Sequence, residues 1–570
     1  MKLYVLISIL FAAGLYSKLT FKIKEVGKPA EKKANTVFCA PSFDPSELNV
    51  KNAPLFKGLG NTHFKVTTSS KKAQQYFNQG LALLFAFNHV EAGRSFKAAI
   101  ENDPSLAMAY WGLGMVLGPN YNAALNPSGL TDINDAMERA VKLSGNTSAK
   151  EKALINALAK RFPKEEVKDM APFNAAYANA MKEAYDKFPD DAEVAVIYAD
   201  ALMNEHPWNL WLKGGDPQPW TPHIMATLEN ILARWPNHPS AIHLYIHATE
   251  ASANPEKALP YADKLAAMMP SAGHIVHMPS HTYIRTGDYH KGVLVNEKAS
   301  MGDSNYVAQC KVQGFYALLL YPHNIHFLAA CAFLEGNSKK AIDAAWMVQR
   351  KADKRFLADN ITVQHYYSIP FYVLVQLGKW DEIMKLNEPG ESLLYPRAVW
   401  HYARGMAFAA RGKTTEAESE LDAINEIAKN ESLKAMLIWE NNSAAQLVNI
   451  ALTILSAQIE AAKKNYGTAV GLLQKAVEME DALTYQEPPD WFFSVRQTLG
   501  HWLVQAGQYE EAEKIYRQDL TIYKENGWSL MGLYNSLKGQ NKNAEVAEVK
   551  KRFEKAWQWA DVKIYSSRVY

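Results

Sequence analysis

A repeated pattern of small residues, aromatic residues and a proline constrains the fold of this 570-residue chain more than any other feature of its sequence. The pattern repeats with a period of about 34 residues. The small residues allow two antiparallel helices to approach closely, and the aromatic residues fill the space beside them. The proline ends the second helix because it lacks an N–H group. In the first copy, which starts at Ala73, the pattern is carried by Tyr76, Gly80, Ala92, Phe96, Ala99 and Pro104.

Good further copies start at Gly273, Phe493 and Glu525. Weaker copies start near Ala107, Ser148, Ala192, Pro239, Pro322, Gln364, Ala398 and Ile450. Strand patterns are absent from the sequence. Over roughly residues 71 to 560 the chain therefore resembles the tetratricopeptide repeat (TPR) family. The fold class that this implies is all-α, a right-handed TPR superhelix (α-solenoid) of about a dozen helical hairpins with irregular insertions.

The resemblance also implies a mode of binding. TPR proteins usually bind a peptide or a protein partner on the concave face, through the first helix of each hairpin. Three stretches, residues 76–96, 272–290 and 485–500, are similar to exported bacterial TPR proteins. That closer resemblance implies no established activity.

The N-terminus predicts export. Lys2 precedes an apolar run from Leu3 to Leu15, so residues 1–17 are predicted to be a signal peptide or an N-terminal anchor. The run is shorter than the roughly 20 residues that span a bilayer. We expect no later stretch to cross a membrane. The predicted location is the periplasm, with tethering by an uncleaved N-terminal segment as the alternative.

The rest of the chain divides by repeat frame and composition. Within the central region, the insertion at residues 206–223 holds Trp208, Trp211 and Trp220. Long irregular loops are often functional, so these side chains either cover the groove or pack on the edge of the solenoid. The predicted regions are a linker or arm (18–70), N-terminal hairpins (71–190), central histidine-rich hairpins (191–353) and C-terminal hairpins (354–570).

The balance of charges excludes some partners. The formal net charge is +2, from 61 basic and 59 acidic residues, so neither nucleic acid nor an acidic membrane surface is indicated. Three cysteines do not make a disulfide framework, although Cys310 and Cys331 could pair in an oxidising compartment. Glycine-rich phosphate loops, a serine elbow and a cysteine-nucleophile pattern are missing.

Histidines provide the strongest functional signal. Nine of the sixteen lie between His238 and His326, mostly at repeat positions that line the concave face. Residues three or four apart share a helix face, and packed helices lie about 8–10 Å apart, so consecutive repeats should bring these rings together. His365 has the equivalent position in the next repeat. The candidate metal ligands are His243, His247, His274, His277, His281, His323 and His326.

This strip suits a transition metal. Neutral imidazole binds copper, iron or zinc, and seven candidates exceed one tetrahedral site, so two ions or spare positions are expected. Glu250 is predicted to ligate or to accept a histidine N–H, and Asp200 is a weaker candidate. Arg285 is predicted to pair with a carboxylate. The alternatives are a histidine-lined pocket for a peptide or organic ligand, and a purely structural role.

Pro279 complicates the strip, because proline inside a helix removes a hydrogen bond. Either the helix starts near Met278 and leaves His274 and His277 in a loop, or the helix bends there. Three functions stay open at this point. They are an exported scaffold that binds a ligand or partner in its groove, a metal-dependent enzyme, and a metal storage or delivery protein.

Overall fold

The computed structural model describes Leu48, residues 53–310 and residues 316–569. The predicted signal peptide or anchor and much of the predicted arm lie outside the described residues, as does the side chain of Cys310. Cys331 is a buried free thiol. The described part of the arm packs on the first repeat, since Phe64 and Val66 are buried and Tyr76 donates a hydrogen bond to the Ala53 carbonyl (2.9 Å).

Helical hairpins account for nearly all of the described chain. The N-terminal helices are α1 (Lys71–Leu84), α2 (His89–Asn102), α3 (Ala107–Leu117), α4 (Leu130–Leu143), α5 (Ala149–Leu158), α6 (Ala171–Lys187) and α7 (Ala192–Glu205). The central helices are α8 (Thr221–Arg234), α9 (Pro239–Thr249), α10 (Leu259–Met268), α11 (Gly273–His277), α12 (Pro279–Thr286), α13 (Tyr289–Cys310), α14 (Tyr321–Leu334) and α15 (Ser338–Lys351).

The C-terminal region continues the hairpins and carries one short strand pair. Its helices are α16 (Ile361–Gln376), α17 (Trp380–Ile383), α18 (Leu394–Ala410), α19 (Thr414–Ala428), α20 (Ala444–Ala462), α21 (Tyr466–Asp481), α22 (Val495–Gln505), α23 (Tyr509–Ile522), α24 (Gly527–Gly539) and α25 (Asn543–Ala556). An antiparallel pair, β1 (Leu437–Ile438) and β2 (Asn442–Ser443), precedes α20. Short 3-10 turns lie at Pro127–Gly129, Ser144–Asn146, Pro255–Ala258 and Glu431–Lys434, and a π-helical turn lies at Tyr316–Leu320.

The repeat pattern acts through close helix packing. A Cβ atom on Gly80 would lie 2.6 Å from the Phe96 ring, and one on Gly112 would lie 2.5 Å from it. The same relation recurs near the C-terminus, where Tyr516 fills the space beside Gly500 and Gly532. Consecutive helices pack on each other, and the first helices of neighbouring hairpins also touch, as in α1 with α3 and α22 with α24. The predicted all-α superhelix is confirmed.

The ends of the superhelix fold against its centre. Trp528 on α24 donates to the Phe333 carbonyl on α14 (3.1 Å) and stacks on the Phe333 ring. Tyr289 donates to the Lys524 carbonyl (2.7 Å), so the C-terminal hairpins cover the central ones. From the other end, Tyr306 on α13 donates to the Asn88 side chain (3.1 Å). The central hairpins are therefore enclosed on two sides.

Two helical stretches of the described chain are long and apolar enough to cross a membrane, which differs from the expectation that no later stretch would be. They are Tyr316–Leu334, with 83% of its apolar window buried in the fold, and Ala444–Ala462, with 61%. Repeat helices that pack on several sides are apolar nearly all round. Composition of this kind is therefore weak evidence for a membrane span.

Candidate metal centre

Six of the predicted histidines form two adjacent groups of three. In each group one nitrogen atom from every ring lies within 4.8 Å of the others. We call them the first triad and the second triad. The first triad is His243, His247 and His274, and the second triad is His277, His281 and His323.

The first triad is built by α9 and α11. Pro239 starts α9, and His243 and His247 lie one helical turn apart on it, with ring centroids 4.9 Å apart. His274 enters from α11, and its Nε2 lies 3.2 Å from Nε2 of His243. The i,i+4 spacing therefore gives two ligands on one helix and a third from its neighbour.

The second triad depends on the bend at Pro279. Met278 joins α11 to α12 with helical dihedral angles, φ −48° and ψ −38°, and its N–H donates to the His274 carbonyl (3.0 Å). The helix therefore bends rather than starting anew, which decides between the two sequence-based alternatives. Across the bend, Nε2 of His277 lies 3.0 Å from Nε2 of His281. His323 on α14 completes the triad.

The outer nitrogen atoms of two histidines are fixed by neutral acceptors. Nδ1 of His243 donates to the Phe85 carbonyl (2.6 Å), and Nδ1 of His277 donates to Oδ1 of Asn296 (2.7 Å). The Asn296 amide can face only this way, because its Nδ2 donates to the Gly292 carbonyl (2.8 Å). Each ring therefore carries its proton on Nδ1 and presents the lone pair of Nε2 to its triad.

Glu250 fixes one histidine of each triad. Its Oε1 accepts from Nδ1 of His247 (2.9 Å), and its Oε2 contacts Nδ1 of His281. Burial by itself would raise the pKa of Glu250, but His281 and His247 outweigh burial and lower the pKa to about 2. The ionised carboxylate can only accept, so both rings also turn Nε2 inward. A carboxylate or carbonyl acceptor behind the outer nitrogen is the usual support of a metal-binding histidine.

Two lone pairs facing each other need a cation or a proton between them. Nε2 of His277 and Nε2 of His281 are both acceptors in the tautomers set by Asn296 and Glu250, yet they lie 3.0 Å apart. Nε2 of His247 is buried and has no hydrogen-bond partner among the described residues. Buried polar atoms are rarely left unpaired. The arrangement is thus complete only when a positively charged species occupies the centre.

Most rings of the two triads are buried in a dry environment that disfavours their charged form. His243 and His277 have no exposed surface, and the first triad is no more than 3% exposed at any ring. Burial, aided by repulsion from neighbouring histidines, lowers the pKa well below its usual value for His243, His274, His277 and His323. Metal ligands must be deprotonated, so these side chains are poised to bind a metal near neutral pH.

Aromatic side chains close the site. The Trp208 indole from the tryptophan insertion lies 5.8 Å from the His247 ring and donates to Oδ1 of Asn122 (3.0 Å). Phe87, in the turn after α1, lies 4.5 Å from the His243 ring. Trp220 instead stacks on His206. Within the insertion, Trp208 therefore packs near the first triad, whereas Trp220 packs against the insertion itself.

The other predicted residues lie around the triads. His326 and His365 form a separate buried pair with ring centroids 5.7 Å apart, and Nδ1 of His365 bonds to the Tyr395 hydroxyl. Arg285 donates to the backbone carbonyl of Glu250 (2.7 Å) instead of pairing directly with a carboxylate. Asp200 is buried with Arg161, and burial raises its pKa to about 6 even though Arg161 opposes the shift.

Some contributors were not singled out from the sequence. Asn296 occupies the repeat position that is aromatic in the first copy, where Phe96 stands, so a polar residue at a packing position was the available signal. The Phe85 carbonyl and Trp439, whose ring lies 5.8 Å from that of His323, carry no such signal.

Comparisons with known proteins give only weak structural matches. No protein-family model and no curated protein matches the sequence. A structure of the human IFIT1 dimer with m7Gppp-AAAA is 12% identical, with 87% of this chain and 92% of that chain aligned and a TM-score of 0.30. The yeast Tom70 structure is also 12% identical, with 85% and 91% aligned and a TM-score of 0.28. Scores this low do not bear on function, and the fold assignment rests on the hairpins of this chain.

Proposed function

We propose that this protein is an exported TPR-like metalloprotein whose repeat array holds transition-metal ions in two histidine triads. The observation that carries the proposal is the anchoring of four outer nitrogens, two by Glu250 and one each by Phe85 and Asn296. Each anchor sets the tautomer that a metal ligand needs. Lone pairs that face each other need a cation or a proton between them, and a metal ion would meet that need in both triads.

The ligand set favours copper or zinc among the candidate metals. Each triad offers three nitrogen donors, one fewer than a four-coordinate ion takes. Three histidines with one open position are typical of catalytic zinc, and imidazole also suits copper. Non-haem iron commonly takes two histidines and a carboxylate, and neither triad includes a carboxylate.

Burial favours a small ligand over a peptide in the groove. The strip that the repeat pattern assigns to the concave face is covered by the chain itself, including Phe87 and Trp208. A peptide partner in the groove needs an open surface, whereas an ion or a small molecule fits a closed site. A peptide or protein partner is therefore proposed only for surfaces away from the triads.

The test is metal content per chain. Protein supplied with copper or zinc should retain about two ions per chain, given two three-ligand sites. Replacing His247 and His281 with alanine removes one ligand from each triad and should lower the content of both. His501→Ala is the matched control, because His501 is also buried but lies on α22. Metal-free protein after supplementation, or equal metal in the double variant and the control, would contradict the proposal.

A metal-dependent enzyme is the second candidate, because the open position of each triad can activate water or oxygen. Storage or delivery requires that the ions leave readily. Ligands as deeply buried as these disfavour release. Stoichiometric metal with turnover would support an enzyme, and ready exchange with a chelator would support delivery. Fractionation of the native cells tests the proposed export.

A further inference from the structure

The two triads are close enough to act together, and this inference rests on the proposed function and deepens it. We infer that the triads form one dinuclear copper centre that binds a single dioxygen molecule between its two ions. The proposal is carried by the spacing of the rings, the charge of the ligands and an apolar pocket beside His274.

Rings of different triads are as close as rings of the same triad. His247 and His281 have centroids 5.7 Å apart, and His274 and His277 have centroids 5.8 Å apart. Within triads the corresponding distances reach 6.2 Å for His247 and His274 and 5.7 Å for His281 and His323. Two-metal sites hold their ions about 3.5–4 Å apart, and no protein layer separates these triads.

Glu250 ties the triads into one unit. A single carboxylate contacts His247 of the first triad and His281 of the second through their outer nitrogens. Both rings therefore project their ligand atoms away from the same group. Ions held by these two histidines would lie on the side of the rings away from Glu250.

The charge of the site favours copper(I). All six ligand atoms are imidazole nitrogens, so the ligand set itself brings no negative charge to the ions. Burying unbalanced charge is costly, so two monovalent ions fit this site better than two divalent ions. Two divalent ions become acceptable once a dianion lies between them.

A largely apolar pocket borders the first triad at His274. It is lined by Phe56, Leu83, Tyr306, Tyr316 and His274, with Asn88 at its side. Nε2 of His274 faces His243, while its Nδ1 has no hydrogen-bond partner in the described part of the chain. An aromatic and aliphatic lining favours entry of a neutral, weakly hydrated molecule over a hydrated anion.

The chemistry balances within the centre. Each copper(I) ion loses one electron and becomes copper(II), and dioxygen gains these two electrons. The O–O bond persists as a single bond, so the bound species is a dianion that offsets the two new positive charges. No proton and no further reductant is required, and release of dioxygen reverses the step.

The test loads the full chain with copper(I) without oxygen, then admits dioxygen. Expected results are about two copper ions and about one dioxygen taken up per chain, as a two-metal site requires. Two copper(II) ions coupled through one bridge pair their unpaired electrons. The oxygenated protein should therefore give almost no electron paramagnetic resonance (EPR) signal.

Variants separate the two sites. His243→Ala opens only the first triad, and His323→Gln opens only the second at its least buried ring. Each should halve the copper content and abolish the dioxygen uptake. Oxidation of the remaining ion with ferricyanide should then give the EPR signal of one isolated copper(II). The buried control His501→Ala should behave like the wild-type protein. Circular dichroism identifies a variant that has merely unfolded. If one variant unfolds, the result of the other variant tests the inference.

The outcomes distinguish the two proposals. Two copper ions with the EPR signal of two independent copper(II) centres, or with no dioxygen uptake, would overturn this inference and leave the proposed function standing. Two bound zinc ions with no retained copper would do the same. A chain that holds no transition metal would overturn both.

Discussion

Glu250 is the residue that links the two triads, and its chemistry can be changed without altering its size. In Glu250→Gln the amide has one accepting oxygen and one donating nitrogen, so it can hold only one of the two imidazoles in its present tautomer. The other ring must place its proton on the ligand atom. We expect metal binding to weaken by about 10–100-fold, as for other groups that orient metal ligands. Competition with a chelator of known affinity measures the change.

A second buried carboxylate offers the matched control. Glu335 holds Nδ1 of His290 (2.9 Å) and is buried, but neither residue belongs to a triad. Glu335→Gln should leave the metal affinity unchanged. Equal affinities for the Glu250 variant, the Glu335 variant and the wild type would mean that Glu250 only stabilises the fold.

Asp490 predicts a pH dependence of stability away from the triads. Asn442 donates to its carboxylate (2.8 Å), but burial outweighs that bond and raises the pKa of Asp490 from 3.8 to about 7. Between these values the folded state keeps a proton that the unfolded state loses, so stability falls as pH rises from about 4 to 7.

Asp490→Asn should remove this contribution, because an amide oxygen still accepts from Asn442 and does not ionise. Relative to wild type, the free energy of unfolding of the variant should rise by up to roughly 4 kcal/mol between pH 4 and pH 7. Denaturant titrations of both proteins across this range measure the difference. Parallel pH profiles would show that the carboxyl titrates as it does in water.

At the scale of elements, the tryptophan insertion gives a prediction about exchange. Trp208→Ala removes the indole over His247, and we expect metal release to a chelator to become about tenfold faster, equivalent to about 1.4 kcal/mol of barrier. Trp220→Ala changes the same insertion where it stacks on His206. It should destabilise the insertion locally without changing the release rate. Equal acceleration in both variants would mean that the insertion acts only through its own folding.

The sequence predicted the helices of the site better than the connections between them. Repeat spacing was enough to place His243 and His247 on one helix face, because i,i+4 geometry is local. It could not decide how the chain passes Pro279, since a bend and a fresh helix start both satisfy a missing N–H group. The bend depends on Met278 staying helical while α12 packs on α13, which is a tertiary effect.

At the scale of the whole molecule, the repeat period predicted a solenoid but not its closure. The period reports contacts between neighbouring hairpins, whereas the enclosing contacts join residues far apart in the chain. Examples are His243 with Phe85, 158 residues away, and Tyr289 with Lys524, 235 residues away. An open groove was therefore expected where the structure has a buried site. Because the site is buried, an ion or a small molecule is a better candidate ligand than a peptide.

Closure can be tested at Gly287, which ends α12 with a left-handed backbone (φ +86°). A Cβ atom there would lie 2.6 Å from the Lys524 carbonyl oxygen of the C-terminal hairpins. Gly412 also has a left-handed backbone (φ +71°), but nothing lies within 4 Å of its added Cβ. An alanine substitution therefore strains the backbone at both positions. Only the substitution at Gly287 also creates a clash with the C-terminal hairpins.

Gly412→Ala should lower the free energy of unfolding by about 1–2 kcal/mol through backbone strain alone. Gly287→Ala should lower it by a further 1–3 kcal/mol, because overpacking displaces the C-terminal hairpins. Since α12 also carries His281, only the Gly287 variant should release metal faster. Denaturant titration and chelator exchange measure the two effects. The contrary result is the same free energy of unfolding and the same rate of metal release in both variants. In that case the C-terminal hairpins do not hold the centre closed, and the burial of the triads depends on the central repeats alone.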